Sequence, residues 1–239
     1  GQKRIVARRQ RPSAGQGHKH VGVDSEGRVG RQRLGDLLAP PALEDPGRDF
    51  ARFGIGAFSI ADFDRFDIVN FNRQAGAMMS TLGEPKVEAL ARMARDINPL
   101  VDLRCFPEGV GEDSLDAFLE DVDLYVDGLD FFAFAARRAV FAACHRRGIP
   151  AVTAAPLGMG AAVLVFAPDS MSFEDYFGLE GCDEDEMALR FLLGLSPGML
   201  QRAYLADPSR VDLAARKGPS TIAACQLCAG ITAVEALKL

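Results

Sequence analysis

From residue 50 onward the chain alternates between two hydrophobic periods. Phe53-Gly54-Ile55-Gly56 reads as a helix end with a glycine cap. It leads into Ala57-Phe58-Ser59-Ile60-Ala61-Asp62, a short apolar strand that ends in an acid. From Glu84 to Asp96, Val87, Leu90, Ala91, Met93 and Ala94 recur at helical spacing behind Pro85, a first-turn residue. Leu100 to Phe106 alternates as a strand. Ser114 to Leu119 predicts a short helix with Ser114 as N-cap. Leu124-Tyr125-Val126-Asp127 is the next strand, again ending in acids. Phe131 to Arg147 is a long helix closed by Gly148 and Pro150, and Ala151–Ala154 and Ala161–Phe166 are two further strands.

Strands and helices in alternation predict an α/β fold: a doubly wound, mostly parallel sheet with helices on both faces. Residues 156–221 are less regular. Pro156 to Gly160 is a turn, and Met171 to Phe177 is a short amphipathic helix capped by Ser172. Leu192 to Tyr204 carries Leu, Met and Pro in a pattern that suits either core packing or a partner surface.

Composition adds a seam. The 239 residues carry a net charge of −6 and 48% hydrophobic residues, an ordinary globular balance that excludes collagen, coiled coil and wholesale disorder. Residues 1–49 hold ten Lys/Arg, six Asp/Glu and no Phe or Tyr, while residues 50–239 hold 17 Lys/Arg against 27 Asp/Glu. The first segment is therefore read as mostly disordered, with a basic nucleic-acid-binding arm as the sharper alternative. No apolar run approaches the roughly 20 residues of a spanning helix, and no secretory core follows the basic start. Five cysteines without a framework fit a reduced, cytoplasmic setting.

In doubly wound sheets ligands sit beyond the carboxyl ends of the strands. Two acidic groups fall there: Asp62-Phe63-Asp64 and Asp127-Gly128-Leu129-Asp130. Taken singly, either reads first as solvated turn carboxylates. Between them lies Asp67-Ile68-Val69-Asn70-Phe71-Asn72-Arg73-Gln74, followed by Lys86. Arg73 offers a forked donor to phosphate oxygens and Lys86 a point charge, while Asp130 suits Mg²⁺. Two cations and two carboxylates on one edge suit a nucleoside triphosphate under attack.

The run IADFDRFDIVNFNRQ (60–74), Lys86 in LGEPK and DGLD (127–130) resembles the ThiF/MoeB-type, ubiquitin-activating-enzyme-like adenylating family over about residues 51–239. The resemblance implies ATP-dependent adenylation of a carboxylate, with Mg²⁺ and release of pyrophosphate. The substrate class it suggests is the C-terminus of a ubiquitin-like sulfur carrier. It also implies a nucleotide-binding set of Asp62 (ribose), Asp64, Asn70, Arg73, Gln74, Lys86 and Asp130 (metal), with Arg73 and Asp130 as the catalytic pair. A homodimer is expected, and nucleic acid only as a tRNA substrate. Two alternatives stay open: a tRNA threonylcarbamoyladenosine dehydratase-like activity, and a degenerate binding module that has lost its phosphate loop.

Three departures stand beside the match. The family's first strand and Gly-x-Gly-x-x-Gly turn, expected near residues 25–50, have no counterpart, since Gly27, Gly30 and Gly35 follow no strand. Residues 1–49 are accordingly expected to be a frame or gene-model error rather than a native N-terminus, leaving a domain truncated at that strand and loop. Phe131 stands where the family often has Asn. Only one Cys-x-x-Cys pair, Cys225 and Cys228, exists, so Zn²⁺ is not expected and small buried helix residues are the preferred reading. Cys182, in an acidic loop, is expected to have a raised thiol pKa and to be a poor thioester nucleophile.

Overall fold

The computed structural model describes residues 3–8, 50–204 and 221–239. In chain order the elements are β1 (Lys3–Arg8), β2 (Ala57–Ala61), α1 (Lys86–Ile97), β3 (Asp102–Phe106), α2 (Glu112–Phe118), β4 (Leu124–Gly128), α3 (Phe134–Arg147), β5 (Ala151–Leu157), β6 (Gly160–Phe166), α4 (Phe173–Phe177), α5 (Glu184–Leu195) and α6 (Ile222–Ala236). The strands form a sheet of order β3-β2-β1-β4-β5-β6. Pairs β2–β3 and β4–β5 are parallel. β5 and β6 form an antiparallel hairpin.

Side chains alternate across the sheet, as the pleat requires. Leu124 and Val126 of β4 join a cluster with Phe58, Ile60, Val87 and Leu90, and with Ala233 of α6. Tyr125, between them in sequence, points into a second cluster with Phe118 of α2, Val140 and Phe141 of α3, Phe173 of α4 and Phe191 of α5. Helices therefore cover both faces, the doubly wound arrangement that the strand–helix alternation predicts. The second cluster is rich in aromatic rings packed edge-on or tilted, among them Tyr125–Phe141 at 5.5 Å and Phe177–Phe191 at 4.9 Å.

Local signals explain most element ends. Gly148 stops α3 in the left-handed region, φ 66°, and its N–H returns to the Cys144 and His145 carbonyls. Gly54, at φ 80°, ends the short helical segment at 50–52, and the Ile55 N–H reaches the Phe50 carbonyl at 3.0 Å. Ser172 accepts from the Asp175 N–H at 3.1 Å, and Thr221 caps α6 through the Ala224 N–H.

Four expectations are corrected. Lys3–Arg8, within the segment read as loose, is the strand between β2 and β4, antiparallel to both. The inner edges of β2 and β4 would otherwise leave two rows of backbone groups unpaired, and a short Ile-Val-Ala run suffices to pair them. The other expectations for residues 1–49, including those on Gly27, Gly30 and Gly35, lie outside the described residues. Ser114 is not the cap of α2. Gly111 is, and the Ser114 hydroxyl reaches back to the Gly111 N–H at 3.0 Å. α3 begins at Phe134 rather than Phe131, because the backbone of 129–131 is held in a turn by Arg137. Finally, Glu184–Leu195 is a regular helix capped by Asp183, whose carboxylate accepts from the Glu186 N–H at 2.9 Å.

Candidate nucleotide site at the carboxyl edge

The register of β1 fixes the geometry of this edge. Arg4 pairs with Ala61 on one side and with Asp127 on the other, so the ends of β2 and β4 stand at the same level. Two interstrand spacings, about 10 Å, separate them. The acids that follow each strand therefore open onto one edge.

On the β2 side, Asp62 is buried and accepts the Asp64 N–H at 2.9 Å, turning the chain out of the strand. Asp64 then meets Lys86 twice: its carbonyl accepts the Lys86 N–H, and its carboxylate accepts the Lys86 ammonium at 2.9 Å. The Lys86 side chain is only 4% exposed. Burial opposes ionisation of Asp64, and the hydrogen bond and charge of Lys86 lead the effects that hold the carboxyl below its ordinary value. Lys86 is thus a fixed cation at the first turn of α1.

The loop 67–74 is built by its own polar side chains. Asp67 caps a single 3₁₀ turn at 68–70, and the buried Asn70 amide oxygen answers by accepting the Asp67 N–H at 3.0 Å. The Asn70 carbonyl then takes the N–H groups of Arg73 and Gln74. Asn70 accordingly acts here as the scaffold of the turn. Arg73 Nη1 donates to the Val69 carbonyl at 2.7 Å and to the Asn72 amide oxygen at 3.0 Å. Its Nε and Nη2 donate to no group among the described residues, which leaves half of the fork for an anion. The Gln74 Oε1 is buried without a hydrogen-bond partner among the described residues. Turned end for end, which changes no heavy-atom position, the same amide offers an N–H donor.

On the β4 side the two acids differ. Asp127 is buried, and its carboxylate accepts Arg137 Nε at 2.7 Å, the Thr153 hydroxyl at 2.8 Å, the Leu129 N–H at 3.0 Å and the Tyr125 hydroxyl at 3.4 Å. With four donors it has no capacity left for a ligand. Asp130 is exposed, one of its oxygens accepts the Phe132 N–H at 3.1 Å, and its other oxygen meets no donor among the described residues. Arg137, which the sequence reading did not single out, holds this loop together. An arginine ten residues after a strand-end Asp is the signal that was available.

The cysteines lie elsewhere. Burial pushes the Cys144 and Cys228 thiols up to about 12. Partial burial and the Glu186 and Asp183 charges raise that of Cys182, as its acidic surroundings predict. Among the described residues no group of three or more His, Cys, Asp or Glu side chains converges on a metal position, and no helix is long and apolar enough to cross a membrane.

Fold and site together define an α/β protein whose strand ends lead to one buried ammonium, one partly uncommitted guanidinium and one open carboxylate. The ThiF family pattern matches residues 48–239, and the chain belongs to that family. A tRNA threonylcarbamoyladenosine dehydratase of Bacillus subtilis is 32% identical over 113 residues, 47% of this chain and 42% of that protein. The sulfur carrier protein ThiS adenylyltransferase of Escherichia coli is 27% identical over 135 residues, covering 56% of this chain and 51% of that protein. These alignments span about half the length of the relatives. Among solved structures, E. coli MccB with AMPCPP and MccA superposes with a TM-score of 0.59 at 18% identity, over 82% of this chain and 52% of that chain, a likeness of fold.

Proposed function

We propose that the chain adenylates a carboxylate with ATP, and that the carboxylate is the C-terminus of a ubiquitin-like sulfur carrier. The observation that supports this reading is the shared level of the β2 and β4 ends, from which the loop leading to Lys86 and the Asp130 turn depart. Asp62 would take the ribose hydroxyls there, with Asp64 holding Lys86 against the phosphates. Asn70 would shape the loop, and Arg73 and Gln74 would offer donors to phosphate oxygens. The catalytic pair would be Arg73, neutralising charge that grows as the substrate carboxylate attacks the α-phosphorus, and Asp130.

The donor set fits Mg²⁺, because Asp130 presents one open carboxylate oxygen and the cation commonly takes one or two carboxylates with phosphate oxygens and water. Bound there, Mg²⁺ would supply Lewis-acid neutralisation of the leaving pyrophosphate. The protein would work as a cytoplasmic homodimer. Relatives named for a tRNA dehydratase, at 32% identity, support a second reading in which the activated carboxyl belongs to a modified tRNA base.

Pyrophosphate release, screened against purified carrier proteins and against carboxyl-bearing tRNA, tests the reading. Carrier-dependent release supports the first substrate and tRNA-dependent release the second. A chain that gives no thermal stabilisation with millimolar ATP and Mg²⁺, and no release with either acceptor, refutes adenylation and leaves a binding module.

A further inference from the structure

Arg137 is 2% exposed, and every one of its polar contacts converges on one short stretch of chain. Nε neutralises Asp127 at 2.7 Å. Nη2 donates to the Leu129 carbonyl at 2.9 Å and the Asp130 carbonyl at 3.0 Å, and Nη1 to the Phe131 carbonyl at 3.1 Å. The guanidinium carbon lies 4.7 Å from the centre of the Phe191 ring, so α5 closes the far side. Three consecutive carbonyls are thus gathered by one planar group, that of Asp130 accepting the Ala133 N–H as well at 3.0 Å.

Stability alone does not account for this arrangement. A buried ion pair is commonly replaceable by apolar side chains without loss. The carbonyls collected here, moreover, are those of Asp130 and its two neighbours. With the backbone held on both sides and one Asp130 oxygen taken by the Phe132 N–H, the remaining oxygen has a fixed direction.

We propose that Arg137 is a positioning residue that sets the Asp130 carboxylate for a divalent cation carried on the nucleotide. The proposal rests on the adenylation reading above. Lysine keeps the charge but cannot present the fork, because its ammonium has no planar, divided geometry.

The test uses the full chain and its Arg137→Lys, Asp130→Asn and combined variants. Free Mn²⁺ is counted by electron paramagnetic resonance in the presence of a non-hydrolysable ATP analogue. Analogue binding without metal and the thermal midpoint are measured beside it. Arg137→Lys is expected to weaken Mn²⁺ about tenfold or more, the usual effect of losing a group that orients a ligand. Metal-free analogue binding should change less than about twofold, and Asp130→Asn should add little to the loss, since both act through one carboxylate. A role in stability alone would lower the midpoint and leave Mn²⁺ affinity at the wild-type value, which overturns the proposal. Additive losses in the combined variant overturn it as well. Should Arg137→Lys fail to fold, the neutral pair Asp127→Asn/Arg137→Gln removes both buried charges together and is held to the same outcomes. Failure of the wild-type chain to bind the analogue at all is a different result: it removes the adenylation reading, and this proposal with it.

Discussion

Removing the Asp64 carboxylate takes away the acceptor of the Lys86 ammonium in the candidate site. In Asp64→Ala the backbone contacts survive, because the Asp64 N–H to Asp62 and the Lys86 N–H to the Asp64 carbonyl need no side chain. What is lost is the acceptor of an ammonium that is 4% exposed. Breaking one side of a buried pair costs about 3–5 kcal/mol. Asp64 keeps 29% of its side chain in water, so the low end, about 3 kcal/mol, applies. At about 2–4 °C per kcal/mol for a chain of this size, the thermal midpoint at pH 7 should fall by about 6–12 °C. The folded-state pKa of Asp64 lies below 3.8, so its contribution is fully present above that value and is lost as pH falls through the folded pKa. Urea titrations of both proteins from pH 7 downward read this directly. The gap in unfolding free energy should stay constant to about pH 5 and close only below the ordinary carboxyl pKa. Equal stabilities at pH 7, or a gap undiminished at the acid end of the series, would refute the argument.

Arg73→Ala and Asp130→Ala should each lower pyrophosphate release about 10²–10³-fold while leaving circular dichroism unchanged, and full turnover in either removes the assigned roles. Asp62→Ala should mainly raise KM for ATP, since ribose contacts serve ground and transition states alike; a drop in kcat alone contradicts that. With thiol pKa values near 12, Cys144 and Cys228 should resist labelling at pH 8 until urea unfolds the chain, while exposed Cys105 is labelled in the folded protein. Light scattering at micromolar concentration should give a dimer mass; a monomer mass counts against the homodimer.

The strands from β2 onward and the C-terminal end of α3 were readable because each depends on residues close in sequence. A buried strand is a continuous apolar run, and Gly148 stops a helix by its own φ. β1 was hidden for the opposite reason. Lys3 to Arg8 has three apolar residues between basic ones, and what makes it a strand is the pair of edges offered by β2 and β4, which only the assembled sheet possesses. α5 carried a legible start in Asp183-x-x-Glu186. The acidic run around it reads as a solvated loop, and exposed Leu189 and Leu193 blur the apolar face. Such a helix is held by Phe191 and Leu195 against the aromatic cluster, which is a tertiary fact.

The site divides along the same line. The expectation that acids at two strand ends and a cation-bearing loop share an edge follows from the alternation of strands and helices. Which acid remains available did not, because Asp127 and Asp130 are chemically identical and three residues apart. Donor count separates them. Asp127 meets four donors in the interior, so its charge is spent on the fold, while Asp130 meets one and keeps an oxygen outward. The tandem arginines of α3 pose the same problem. Arg138 makes a two-pronged, partly exposed pair with Glu174 of α4 at 2.7 Å, whereas its neighbour Arg137 turns inward about 100° away around the helix to bind Asp127. Equal side chains acquire different functions from the direction in which a rigid helix points them. For that reason the burial and partners of Arg137, rather than its identity, make it the residue through which the Asp130 loop is set.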